Sequence, residues 1–170
     1  VISSAAAYMT ATCLEYNVSG PYYNNMQILK RKYPVYAKTG TTDWSTSGRA
    51  YGIPTGAPKD MWLVCQNSNF TISIWLGFDR AEVGSYFTTS EDMANLKGRI
   101  GRYILNELDE NVEGNTEGVQ RPDDVSDVTI VKGAYPYCAP DGGHETVKGL
   151  IKTSALKKNP LTSVSSVLAK

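Results

Sequence analysis

The residues best suited to chemistry are Lys38-Thr39-Gly40-Thr41-Thr42. Lys38 supplies a fixed positive charge for a nucleophile or a substrate carboxylate. Thr39 and Thr41 offer hydroxyls to that carboxylate, and the Thr41 backbone N–H can point at a developing oxyanion. Gly40 removes a side chain where a peptide must lie flush against a strand edge. The letters K-T-G alone are a weak signal. Their context adds the weight: a strand end, then a long polar loop, with an apolar hairpin behind it.

Other candidate chemistry is sparse. Cys13, Cys65 and Cys138 are odd in number and show no C-x-x-C spacing, which argues against a zinc site and excludes a disulfide framework. A Ser-His-Asp or Cys-His site would depend on the single histidine, His144. It sits in PDGGH, a loop composition, and reads as an exposed, idle imidazole. No metal and no cofactor are expected.

The elements around the motif must come from one ordinary domain, because 170 residues do not comfortably make two. Hydrophobic residues at 41% and charged residues at 20% argue against disordered and coiled-coil classes. Lys plus Arg and Asp plus Glu balance at 17 each, so the basic footprint of nucleic-acid or anionic-membrane binding is missing. No apolar run approaches the roughly 20 residues of a membrane span. The start, VISSAAAYMT, lacks the basic region of a signal peptide, and the chain as given reads as soluble.

Periodicity predicts a helix over about Ser4–Tyr16, capped by Ser3 or Ser4, with Ala6, Met9, Cys13 and Tyr16 as its apolar stripe. A short helical turn follows over about Asn24–Lys32. Val35–Lys38 reads as a strand running into a long loop, Thr39–Asp60. Met61–Cys65 reads as a buried strand, Gln66–Asn69 as a hairpin turn, and Phe70–Phe78 as an alternating strand with Ile72, Ile74, Leu76 and Phe78 inward. A helix over about Glu91–Leu108 carries Met93, Leu96, Ile100, Ile104 and Leu108, with Gly98 and Gly101 allowing close packing. The fold class is α+β, an antiparallel sheet with helices packed on it. Eight acids against one Arg between Glu107 and Asp127 mark a linker, and a boundary is placed near Asn111. That gives residues 1–111 and a tail, 112–170, with one strand at Val128–Val131 and an otherwise irregular course.

At this point the chain resembles the bifunctional, class A penicillin-binding proteins that cross-link peptidoglycan. AYMTATCLEYNVSGP resembles the helix and Gly turn that precede KTGTT in that family. MWLVCQNSNFTISIWLGFDR is similar to the family's next two strands, ending in a W-x-G-aromatic-D pattern at Trp75–Asp79. QRPDDVSDVTIVKGAYP resembles the segment many members carry after the transpeptidase domain. The set covers most of residues 1–135.

The family's acylated serine, in S-x-x-K, and its S-x-N motif both precede KTG, yet only 37 residues precede Lys38 and they hold neither. Ser154-Ala155-Leu156-Lys157 is on the wrong side of KTG and reads as coincidence. The resemblance therefore implies the C-terminal part of a D,D-transpeptidase domain without its nucleophile. It implies Lys38 and the Thr41 N–H as catalytic groups, and Thr39, Gly40, Thr41 and Thr42 as substrate contacts. It further implies D-Ala-D-Ala stem peptides and β-lactams as partners of the complete protein, a missing upstream half, and an anchor to the outer face of the plasma membrane. A different class stays open: a non-catalytic module that binds peptide or wall material. Residues 1–111 are expected to fold with helices 4–16 and 91–108 on one face of the sheet. An apolar patch beside Lys38 should remain, masked by the tail or by self-association.

Overall fold

Ser3 opens the first helix, its hydroxyl accepting from the Ala6 N–H at 3.3 Å, as an N-cap serine does. The computed structural model of the protein describes residues 2–21, 26–88, 91–114 and 117–165, and of residues 91–94 the backbone only. Helix α1 spans Ser4–Ser19. Its expected stripe is not the buried one: Cys13 and Tyr16 are exposed, while Ala5, Ala11 and Val18 are buried. Apolar residues lie on more than one face of this helix, so a period of 3.6 cannot choose between them. Within the expected turn at Asn24–Lys32, residues 24 and 25 lie outside the described residues. What is described is one 3-10 turn, Gln27–Leu29, with Leu29 fully buried.

The chain divides into two units, residues 12–118 and residues 1–11 with 119–170. In the first, strands β1 (Tyr36–Asp43), β2 (Pro58–Gln66) and β3 (Thr71–Gly77) form an antiparallel sheet in that order. The fold is α+β, as expected. Strand β1 runs through the whole KTGTT segment instead of stopping at Lys38. Thr39 faces Leu63 and Thr41 faces Met61 across the ladder, and threonine, although polar, is a good strand former. The loop is thereby shortened to residues 44–57 and is partly organised: the Trp44 indole donates to the Ser85 carbonyl at 2.5 Å, and Ile53 is buried.

Strand β2, read from sequence as buried, is buried on one face alone. Met61, Leu63 and Cys65 point into the core, whereas Trp62 and Val64 stay 43% and 40% exposed. The β2–β3 turn closes on Asn67, whose side-chain oxygen accepts from the Asn69 and Phe70 N–H groups at 2.9 and 2.7 Å. Inward Ile72, Ile74 and Leu76 then join the core, with Trp75 outward.

Helix α2 spans Glu91–Asn111 and lies over β2 and β3. Leu96, Ile100, Ile104 and Leu108 are half-buried as the stripe predicts, and Leu105 is fully buried; the Met93 side chain lies outside the described residues. The two glycines do allow close approach. A Cβ added at Gly98 would come within 2.9 Å of Ile28, and one at Gly101 within 3.0 Å of Leu63 and 3.2 Å of Leu29. Val18 of α1 shares this core with Leu29, Ala37, Leu63, Cys65, Ile74 and Leu105. The end of α1 is pinned further by the Asn17 amide, which donates to the Ala37 carbonyl at 2.8 Å. Both helices therefore feed the sheet face that carries Leu63 and Ile74.

The second unit is more regular than its sequence implied. Strands β4 (Val125–Val131) and β5 (Thr146–Lys152) pair antiparallel, and a short helix α3 (Thr153–Lys158) follows. Val131, Cys138 and Val164 form its small core. Loop glycines and single apolar residues hide this pattern in the sequence, where Val128–Val131 alone reads as a strand.

Candidate functional site

Strand period sets which side chains of the motif share a face. Ala37, Thr39 and Thr41 lie on the side of Cys65, Leu63 and Met61, their ladder partners. Lys38, Gly40 and Thr42 lie on the opposite side with Val64, Trp62 and Asp60. β1 is an edge of the three-stranded sheet among the described residues, so its other backbone edge is not occupied by β2.

The predicted residues are thus brought onto one exposed strand edge with distinct partners. Lys38 is exposed and donates from Nζ to the Thr39 carbonyl at 2.7 Å. Thr42 donates from Oγ1 to Asp60 Oδ2 at 2.6 Å. Asp60 also accepts from the Trp75 indole at 3.0 Å and lies 3.5 Å from Lys59 Nζ. The Thr42 hydroxyl, first, and then Trp75 and Lys59 hold the Asp60 carboxyl below its ordinary range, against the opposing effect of partial burial. Lys59 also stands 4.7 Å above the Trp44 ring.

Gly40 is informative because the fold does not demand it. A Cβ added there would meet only the Trp62 Cβ, at an ordinary 3.5 Å. Beside it the Trp62 and Trp75 rings lie with centroids 6.2 Å apart, tilted at 41° to each other. With Val64 they leave an apolar surface open to solvent next to Lys38.

Sequence reasoning missed Lys97. This α2 lysine is 6% exposed, and its Nζ lies 3.5 Å from Thr41 Oγ1. Burial, first, and the charge of Lys38 lower its pKa. A signal existed: Lys97, Gly101 and Leu105 recur every four residues on the flank of the predicted stripe. Asp60 was passed over as a loop end.

The remaining candidates lie elsewhere. His144 is exposed and pairs with Asp141 at 2.9 Å. Ser154, the serine of the misplaced S-x-x-K string, donates its N–H and hydroxyl to Asp124 at 2.8 and 3.0 Å, which fastens the start of α3. A cavity of about 880 Å³ opens at the hairpin end of the sheet beside Tyr33, Phe70 and Leu108, and none of the motif residues lines it. No group of three or more metal-binding side chains occurs among the described residues.

No family model matches the chain. Over 103 residues, 60% of the chain, it is 27% identical to penicillin-binding protein 1A/1B of Bacillus subtilis. Its fold matches the crystal structure of penicillin-binding protein 1A from Haemophilus influenzae with a TM-score of 0.53 over 88% of the chain, at 19% identity. The chain spans 11% of the length of the first protein and 20% of the second.

Proposed function

We propose that this relative of the class A penicillin-binding proteins is the C-terminal part of a D,D-transpeptidase domain, and that β1 is the edge along which its substrate peptide lies. One observation carries the proposal. KTGTT occupies an exposed edge strand, with a glycine the fold does not need and an uncovered Trp62–Val64–Trp75 face beside Lys38.

In the complete protein a serine upstream of Val1 attacks the D-Ala-D-Ala carbonyl. D-Ala departs as the amine, taking a proton, and an amine from a second stem peptide then displaces the serine from the acyl ester. Lys38 stabilises negative charge near that serine, and the Thr41 N–H donates to the oxyanion. The hydroxyls of Thr39 and Thr41 take the substrate carboxylate, while Gly40 and Thr42 border the peptide. The upstream half of the domain covers the tryptophan face. When the chain is produced alone, that face is left to self-association. Among the described residues no helix is long and apolar enough to cross a membrane; anchoring at the outer face of the plasma membrane falls to the upstream part.

A fluorescent penicillin tests this. The complete protein should acquire a label that survives denaturation and maps to an upstream serine, and the 170-residue chain should acquire none. A stable adduct on any serine of this chain would refute the assignment.

A further inference from the structure

Lys97 is the one charged side chain that the fold buries among the described residues. Its place in the second turn of α2 puts it on the flank that continues into Gly101 and Leu105, both buried. An ammonium taken from water loses more solvation than a single hydroxyl returns, and such groups are normally paired. Here the described ion pairs include none to Lys97. Its described partner is Thr41 Oγ1, at 3.5 Å, near the outer limit of a hydrogen bond. The neighbouring charge it feels is another cation, Lys38. The KTG edge thus has positive charge from both sides of the sheet: Lys38 from the tryptophan face, Lys97 from the helix face. Stability gains nothing from that arrangement. An anion bound at Thr41 would offset both the burial and the repulsion.

We propose that Lys97 is a positioning residue for the carboxylate of the ligand bound along β1. It donates to Thr41 Oγ1, which leaves the hydroxyl hydrogen of Thr41 free for a carboxylate oxygen, and it adds a second positive charge behind that carboxylate. The ligand class is a peptide or β-lactam with a free carboxylate close to the reacting carbonyl. This rests on the assignment of β1 as the ligand edge, and it adds a residue outside the motif to carboxylate recognition.

The test uses the complete protein and two probes, benzylpenicillin with its free carboxylate and the uncharged methyl ester of the same molecule. Lys97→Met matches the length of the side chain and removes a buried charge, so its melting temperature should not fall. Its acylation by benzylpenicillin should weaken about tenfold, the worth of one hydrogen bond to a charged group. The loss should enter through a higher half-saturating concentration, with the limiting rate unchanged. Acylation by the ester should not change, and Lys97→Arg should restore most of the loss. Combined with Thr41→Val, Lys97→Met should add little further loss, because it acts through that hydroxyl. Equal losses with both probes, or benzylpenicillin acylation at the normal rate, overturn the inference. Lys38→Ala separates the two levels. If it impairs both probes while Lys97→Met impairs neither, the role of Lys97 alone fails. If Lys38→Ala impairs neither probe, the assignment of β1 fails and takes Lys97 with it.

Discussion

Thr42 and Asp60 face one another across the β1–β2 ladder, and the threonine hydroxyl donates to the carboxylate at 2.6 Å. The contact ties the end of the KTGTT segment to the start of β2. Trp75 donates to the other carboxylate oxygen from β3, so one side chain joins all three strands.

That junction makes stability depend on acid. The folded-state pKa of Asp60 lies below its ordinary 3.8, so its contribution is complete above about pH 4 and is lost as pH falls through the lowered value. Asp60→Asn should cost roughly 1.5–3 kcal/mol at neutral pH, the range for hydrogen bonds to a charged group. The variant should also show a flatter stability curve below pH 4. Urea unfolding followed by tryptophan fluorescence from pH 2 to 7 measures both; parallel curves for the two proteins would contradict the role given to Asp60.

Two glycine substitutions should behave oppositely. Helix propensity alone predicts that Gly101→Ala stabilises by about 1 kcal/mol. Its new methyl, however, would lie 3.0 Å from Leu63 and 3.2 Å from Leu29, both fully buried. Overpacking of this kind costs about 1–3 kcal/mol, so a net loss of roughly 1 kcal/mol is expected by thermal melting. Gly40→Ala should leave the stability of the chain unchanged within about 0.5 kcal/mol, yet slow penicillin acylation of the complete protein about tenfold or more, as one lost hydrogen bond to a charged group would. A stabilised Gly101→Ala, or a fully active Gly40→Ala, would be the contrary result.

Thiol chemistry should follow burial. Burial pushes the Cys65 thiol up to about 11, with Arg31 partly opposing it. Cys138 is also enclosed, its thiol donating to the Pro136 carbonyl at 3.2 Å, whereas Cys13 is exposed. Iodoacetamide at pH 8 should modify Cys13 alone in the folded chain and all three cysteines in urea. Mass spectrometry of the peptides reads the outcome; rapid native labelling of Cys65 would mean that the sheet face opens.

In the complete protein, Lys38→Ala should lower the penicillin acylation rate by about two to four orders of magnitude. A stopped-flow rate equal to wild type would reduce KTGTT to a structural strand.

The legible parts of the fold were those with a single solution to their pattern. Helix α2 has one apolar stripe and β3 a strict alternation, and both occur where the residues implied. Helix α1 has apolar residues on more than one face, so its pattern could not choose the buried one: Ala11 and Val18 are buried while Cys13 and Tyr16 stay exposed. Threonines hid the true length of β1 because their hydroxyls read as loop, while their branched Cβ atoms favour a strand. At the candidate site, chemistry named Lys38 to Thr42, but Lys97 and Asp60 are 55 and 18 residues beyond Thr42 in the chain. Helix packing and strand pairing bring them in, and no local spacing records that.

The register shift between Thr42 and Asp43 has a further effect on how this chain behaves in a crowd. An edge strand with free backbone groups is a template on which other chains can stack into fibrils. Here the regular stretch Tyr36–Thr42 is only about 23 Å long at roughly 3.3 Å per residue. It carries a lysine charge near its middle, and the regular ladder ends just beyond, where the register shifts between Thr42 and Asp43. A copy aligned along this edge would meet the lysine charge and find only a short regular stretch to pair with. The strand can therefore stay open on one side without seeding the growth of sheets between molecules.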